Sequence, residues 1–532
     1  MTERLTGLSY IAGSPAAERG APFHSINPRT GARGSTVFYN ATPAVIDSAA
    51  EAAAAAFAET RTYPAARLAD FLDAVAAEIE ALGDALLETA DEETALGLTR
   101  LTGERARTTM QLRKFGALLR EGSYVGAIID TAQPDRQPAP RPDIRRMLFP
   151  IGPVAVFGAS NFPFAFSVAG GDTASAFAAG CPVIVKAHPG HPATSELTAR
   201  AINRAVSACG FPAGFFSLVQ GDQIEVGQQL VVHPRIEAVG FTGSLRAGRA
   251  IFDAAAARPR PIPVYAEMGS INPVVLLPSA IAARGETLAT ALVDSVTLGT
   301  GQFCTNPGIV FVIDGDETRT FIEQTAAAMA ARQPGTLLNP QIEQGLVKAV
   351  GATLSRPGVE KLIGGHKLEG PACGYAHTIL QTTGAALRAD DALQAEHFGP
   401  VTLFVICESF ADLLESLRAL HGNLTATVHA EPSEIEAASA VYDVLREKAG
   451  RLIWNGFPTG VEVVYAMQHG GPYPATTAPA TTSVGMMAIL RFLRPVAFQN
   501  MPEALLPDAL KDANPLGIWR IVDEQWTQGP VG

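Results

Sequence analysis

Val154-Ala155-Val156-Phe157 and Val183-Ile184-Val185-Lys186 are two short, almost wholly apolar runs, with the small-residue stretch 168–180 between them. Runs this short and this apolar are typical of parallel strands buried on both faces, and small side chains let a helix lie close to such a sheet. The stretch reads strand, helix, strand, the unit from which doubly wound α/β sheets are built. Downstream, a strand over 215–219, a helix over 225–232 and a strand over 238–241 continue the alternation. A strand over 274–277, a helix over 287–300 and a strand over 309–313 predict a second α/β unit. Upstream, alanine-rich segments with charges on one face predict helices over 44–59 and 65–89, and another is expected over 103–120. Four prolines in 131–142 make that segment a connector or exposed ribbon. Near the end, 488–498 reads as a strand after a threonine-rich loop, 476–483.

With 532 residues the chain exceeds one ordinary core. Hydrophobic residues at 47% and charged residues at 17% exclude a disordered polyelectrolyte. Forty basic against fifty-two acidic side chains leave a charge of −12, which repels a nucleic-acid backbone and an anionic membrane, so neither is an expected partner. Five dispersed cysteines without a Cys-x-x-Cys pair argue against a disulfide framework and a structural zinc site, and fit a reducing cytoplasm. No basic segment followed by an apolar one opens the chain, and no eighteen-residue apolar run occurs, so neither a signal peptide nor a membrane span is expected.

Chemistry concentrates in a few segments. Cys304, in Gly301-Gln302-Phe303-Cys304-Thr305-Asn306-Pro307-Gly308, is a candidate nucleophile on a small-residue loop, its bland alternative being a buried free cysteine. Glu267, before the turn Met268-Gly269-Ser270, is a candidate base whose pKa partial desolvation would raise; alternatively it is a surface glutamate. Asn161, after the first strand, offers an amide to an oxyanion, or simply caps a turn. Thr242-Gly243-Ser244-Leu245-Arg246-Ala247-Gly248 follows the strand over 238–241 and opens a helix whose free amides attract phosphate, although it lacks the Gly-x-Gly-x-x-Gly order. Lys186, at the carboxyl end of its strand, would reach ribose hydroxyls or else be solvated.

In this order, together with Glu396-His397-Phe398-Gly399-Pro400, these segments resemble the aldehyde dehydrogenase superfamily from about Asn27 to the end of the chain. The resemblance implies that Cys304 forms a thiohemiacetal, that Asn161 and the Cys304 amide hold its oxyanion, and that Glu267 activates the water that hydrolyses the thioester. It implies a nucleotide held by Lys186, His188, Gly243, Ser244, Gly248, Glu396 and Phe398, and no metal. The implied fold has two doubly wound α/β domains and a small β oligomerisation arm. Its expected divisions are a nucleotide-binding domain at 1–133 and 152–266, a catalytic domain at 267–483, an arm at 134–151 and 484–500, and a C-terminal tail at 501–532. The arm implies a homodimer or homotetramer.

Asn455-Gly456-Phe457-Pro458-Thr459-Gly460, His469-Gly470-Gly471-Pro472 and Thr481-Thr482-Ser483-Val484-Gly485 look like the 2-oxoglutarate semialdehyde (2,5-dioxovalerate) dehydrogenase branch. Its substrate is a short aldehyde with a remote carboxylate. Arg107, four residues from Gln111 on one helix face, is the candidate partner for that carboxylate, or a solvated helix arginine. An alternative substrate is a medium or long-chain fatty aldehyde, with Phe162 and Phe166 lining an apolar tunnel. A protein that binds cofactor without catalysis, and a thioester-transferring enzyme using coenzyme A, are further alternatives. NAD-selective family members commonly carry a glutamate where Pro189 stands here. Its absence, with Lys186 and His188 nearby, favours NADP with NAD also accepted, although Asp222 opposes added negative charge.

Overall fold

The computed structural model describes residues 4–532. Its first sheet runs in the order Val264–Glu267, Ala238–Thr242, Val154–Phe157, Val183–Lys186, Phe216–Val219, with Tyr10–Ile11 and Ser14–Pro15 added antiparallel at one edge. The five long strands are parallel, and the order reverses between Val154–Phe157 and Ala238–Thr242. Both strands are buried on both faces up to their carboxyl ends, which explains why they read as unbroken apolar runs. Their carboxyl ends frame a crevice at the reversal, the usual ligand position in an open α/β sheet.

The second sheet runs Glu360–Ile363, Thr378–Thr383, Val401–Cys407, Ile309–Ile313, Val274–Leu276, Asn423–His429, Ala449–Trp454, parallel except at its first strand. A third, five-stranded sheet joins Leu493–Gln499, Ile144–Pro150, Ile128–Asp130, Arg520–Val522 and Gln525–Thr527. The segment expected as a C-terminal tail thus returns to pair with Ile128–Asp130, and that strand, from the stretch assigned to the nucleotide-binding domain, also lies in this sheet. Among the described residues no helix is long and apolar enough to cross a membrane.

Helix limits differ from the sequence expectation where tertiary contacts intervene. The helix expected over 65–89 breaks at Gly83, whose φ of 59° interrupts the α conformation, into Ala65–Ala81 and Gly83–Thr94. The helix over 103–120 is longer, Leu98–Glu121, and that over 168–180 is shorter, Gly171–Ala178. The helix over 287–300 is the second half of Pro278–Thr297. The strand over 488–498 begins only at Leu493, because Met486–Phe492 winds into a 3-10 turn that buries Arg491. Arg491 Nη1 lies 2.7 Å from Asp172 on the Gly171–Ala178 helix, which ties this turn to the first domain.

Candidate active site

The crevice at the strand reversal opens into a cavity of 490 Å³. Asn161, Phe162, Phe166, Lys186, His188, Gly243, Ser244, Glu267, Cys304, Glu396 and Phe398 all line it. Eleven residues spread over more than two hundred positions therefore share one space.

Cys304 is half-buried on the turn leading into the Ile309–Ile313 strand. The turn is held from several sides. Asn272 Nδ2 donates to the carbonyls of Cys304 and Asn306, both at 2.8 Å, and Asn423 Oδ1 accepts the amides of Ile271 and Asn272. Gly301, at φ 69°, lies so close to Gly399 that a Cβ would stand 2.1 Å from its carbonyl oxygen, so only glycine fits there. Asn161 Nδ2 donates to the Gln302 carbonyl at 3.0 Å, which brings the amide to the nucleophile's loop. Two residues of the Leu98–Glu121 helix fix the Asn161 turn. Arg100 donates to the Asn161 carbonyl at 2.6 Å and its guanidinium sits between the rings of Phe162 and Phe303. Glu104, fully enclosed, accepts the amides of Phe164 and Ala165.

Glu267 ends the edge strand of the first sheet and is 3% exposed. His469 Nε2 lies 3.0 Å from its Oε1, and Ser483 Oγ donates to its Oε2. Burial pushes the Glu267 pKa up, but the charge and hydrogen bond of His469, with hydrogen bonds from Ser483 and Cys304, outweigh burial and hold it below the ordinary carboxylate value. This corrects the raised pKa expected from desolvation alone. The same His469 Nε2 stands 3.5 Å from Cys304 Sγ. Burial drives the Cys304 thiol well above its usual pKa, the Glu267 carboxylate adds to the rise, and Arg107 works against it. His469 and Ser483 are functional residues that sequence reasoning passed over. Both stood inside quoted motifs, and the available signal was a histidine between a polar residue and two glycines.

At the opposite end of the cavity, Ser244 caps the Leu245–Ala256 helix through Ala247 N, leaving the helix amides facing the crevice. Gly248 is not among the cavity-lining residues. A Cβ there would stand 2.6 Å from Met268 Cγ, so its smallness lets the helix approach the sheet. Lys186 Nζ donates to the carbonyls of Ala187 and Gly221, and burial lowers its pKa to about 8. Burial, with His191 and Lys186 beside it, holds the His188 pKa well below the usual value, which favours the neutral ring. Asp222 accepts from Asn40 Nδ2 at 2.8 Å. Glu396 accepts weakly from Ser270 N at 3.4 Å, and burial pushes its pKa up to about 7. Thr242 Oγ1 is buried without a hydrogen-bond partner at the end of its strand. Exposed helix amides, a partnerless hydroxyl and an acceptor carboxylate suit a nucleotide carrying phosphates and ribose hydroxyls.

Arg107 lies over the Phe166 ring at 5.4 Å and donates a long hydrogen bond, 3.5 Å, to the Val461 carbonyl. Gln111, 2% exposed, sits outside the cavity against Gly171, with its Nε2 unpartnered. The ring of Phe162 meets those of Phe166 and Phe303, each at 5.3 Å between centroids, and Phe162 and Phe166 line the cavity with Cys304.

The sequence model of the aldehyde dehydrogenase family matches residues 16–473. The chain is 49% identical over 521 residues to alpha-ketoglutaric semialdehyde dehydrogenase 2 of Azospirillum brasilense, covering 98% of this chain and 99% of that protein. It is 45% identical over 522 residues to the alpha-ketoglutaric semialdehyde dehydrogenase of Acinetobacter baylyi, with the same coverage. In fold it is similar to the 1-pyrroline-5-carboxylate dehydrogenase from Thermus with bound NAD, at a TM-score of 0.77 and 22% identity over 92% of each chain.

Proposed function

Given that the chain belongs to the aldehyde dehydrogenase family, we propose that it oxidises 2-oxoglutarate semialdehyde to 2-oxoglutarate with a nicotinamide nucleotide. The observation that carries this reading is the meeting of Cys304, Glu267 and Asn161 in one cavity with the amino end of the Leu245–Ala256 helix. The names of two relatives at 49% and 45% identity support the substrate.

In the proposed reaction the Cys304 thiol gives its proton toward the Glu267–His469 pair, and the sulfur forms a bond to the aldehyde carbon. Glu267 is already ionised at neutral pH, so it can accept that proton without first losing its own. Asn161 Nδ2 turns from the Gln302 carbonyl to the new oxyanion, joined by the Cys304 amide. The oxidised nicotinamide, when bound by Lys186, Ser244, Glu396 and Phe398, supplies the acceptor for the hydride that leaves the sulfur-bound carbon. Glu267, still held by Ser483 and His469, passes its first proton to solvent and then takes a proton from water. The water oxygen bonds to the acyl carbon of the Cys304 thioester, the carbon–sulfur bond breaks, Glu267 returns its proton to the sulfur, and the product leaves as its carboxylate with the second water proton released to solvent.

Arg107 is proposed to receive the remote carboxylate. Its guanidinium is not among the cavity-lining groups but has one long hydrogen bond, lies over the ring of Phe166, which lines the cavity, and is near enough to the nucleophile to affect its charge. For the nucleotide we propose NADP, with NAD also accepted. The support is Pro189 in place of a carboxylate, and an Asp222 already engaged by Asn40. A homodimer or homotetramer through the third sheet is proposed from its open Leu493–Gln499 edge.

Initial rates with 2-oxoglutarate semialdehyde and with unbranched aldehydes of rising length, each with NADP and NAD, test the reading. The expected result is a preference for the carboxylated aldehyde that Arg107→Ala removes through KM. A rate that climbs with chain length and ignores the carboxylate would instead select a fatty aldehyde.

A further inference from the structure

Oxygen of Glu267, sulfur of Cys304 and nitrogen of the fully buried His469 lie within 4.8 Å of one another, the first two residues lining the cavity. Among the described residues this is the one such cluster of three metal-ligating groups. We propose that it is a zinc site, at which a divalent zinc ion reversibly blocks the protein by coordinating all three side chains, with water from the cavity as fourth ligand.

The distances carry the proposal. Tetrahedral zinc, with bonds of about 2.3 Å to sulfur and about 2.0 Å to nitrogen and oxygen, spans edges of roughly 3.5 Å from sulfur to nitrogen and 3.3 Å from nitrogen to oxygen. His469 Nε2 stands 3.5 Å from Sγ and 3.0 Å from Glu267 Oε1, so these two edges match zinc to within a few tenths of an ångström, while sulfur and oxygen, within 4.8 Å of each other, need draw together by no more than about an ångström. The donors are held in advance. Ser483 occupies Glu267 Oε2 and leaves Oε1 to the cluster, while the His469 amide donates to Thr482 Oγ1 at 2.9 Å. A thiolate with an imidazole and a single carboxylate selects zinc over magnesium or calcium, which require all-oxygen shells. On binding, the S–H bond breaks, an S–Zn bond forms and the proton leaves to solvent.

The remaining ring nitrogen points to reversible inhibition rather than a resident metal. Resident zinc histidines usually donate from their second nitrogen to an outer partner, which raises their affinity. His469 Nδ1 is buried with no partner. The inhibitory consequence rests on the aldehyde-oxidising reading, but the metal site itself does not.

The test uses the full chain, free of nucleotide and aldehyde, titrated with Co²⁺ and then with Zn²⁺. The expected result is an intense sulfur-to-cobalt charge-transfer band saturating at one equivalent, abolished by Zn²⁺ and by chelator. Cys304→Ser should remove the band, and His469→Gln should weaken binding at least about tenfold, because even outer-shell partners are worth that much. Absence of the band in the native chain, its persistence in Cys304→Ser, or unchanged affinity in His469→Gln would overturn the proposal. Circular dichroism of each variant separates loss of a ligand from loss of the fold. An active enzyme without the band would sink the zinc site alone, whereas a chain with the band that oxidises no aldehyde would sink the catalytic reading alone.

Discussion

His469 Nε2 lies 3.0 Å from Glu267 Oε1 across 202 positions of sequence, and this contact is the main influence that offsets burial and lowers the carboxylate's pKa. If it anchors the base, His469→Leu should lower kcat by about a hundredfold, in the range that a positioned base contributes, with a smaller change in the aldehyde KM. Steady-state kinetics would check this. Since the loss concerns Glu267, the double variant with Glu267→Gln should be scarcely slower than Glu267→Gln alone.

Asn161→Ala should cost roughly 3 kcal/mol of barrier, about a hundredfold in kcat, as for other single oxyanion donors. Nucleotide affinity, read by fluorescence titration, should stay unchanged, because the amide faces the nucleophile's loop.

Nucleotide binding should depend on pH with two arms. Glu396 accepts ribose hydroxyls best when ionised, so affinity should rise as pH passes about 7, where this buried carboxyl loses its proton. Lys186 donates best when charged, so affinity should fall above about 8. Dissociation constants measured from pH 6 to roughly 9 should therefore be lowest between these values. Glu396→Gln should flatten the acid arm and leave the alkaline one.

Arg491 and Asp172 form a buried pair that joins the 3-10 turn to the first domain. Arg491→Leu leaves the carboxylate without its partner and should cost about 3–5 kcal/mol, visible as a lowered unfolding midpoint in urea. Replacing both residues by apolar ones should restore much of the loss.

The alternation of strands and helices was legible because both faces of the central strands are buried, which leaves an unbroken apolar run. Cys304, Glu267 and Asn161 were legible because each sits at a strand end or on a small-residue turn, Glu396 only through the family resemblance, and all four line one cavity. Local pattern carries no information on distant partners, and there the reading stopped. His469 meets Cys304 across 165 positions, and nothing in His469-Gly470-Gly471-Pro472 announces the pairing. For Glu267, desolvation was foreseeable, but its partners, which reverse the sign of the shift, were not. Residues 488–492 read as the start of a strand because they are mostly apolar, and the partner that lets Arg491 be buried in a 3-10 turn instead, Asp172, lies 319 positions away. Gly248 was assigned to the nucleotide only through the family resemblance, whereas its lack of a side chain lets the helix approach Met268.

The most direct test of the covalent account is to mix the Glu267→Gln variant with 2-oxoglutarate semialdehyde and NADP, quench within a single turnover, and map the peptides by mass spectrometry. Blocking hydrolysis should trap one acyl group as a thioester on Cys304, with one equivalent of reduced nucleotide formed. Reduced nucleotide without an acylated Cys304, or an acyl group on another side chain, would contradict it.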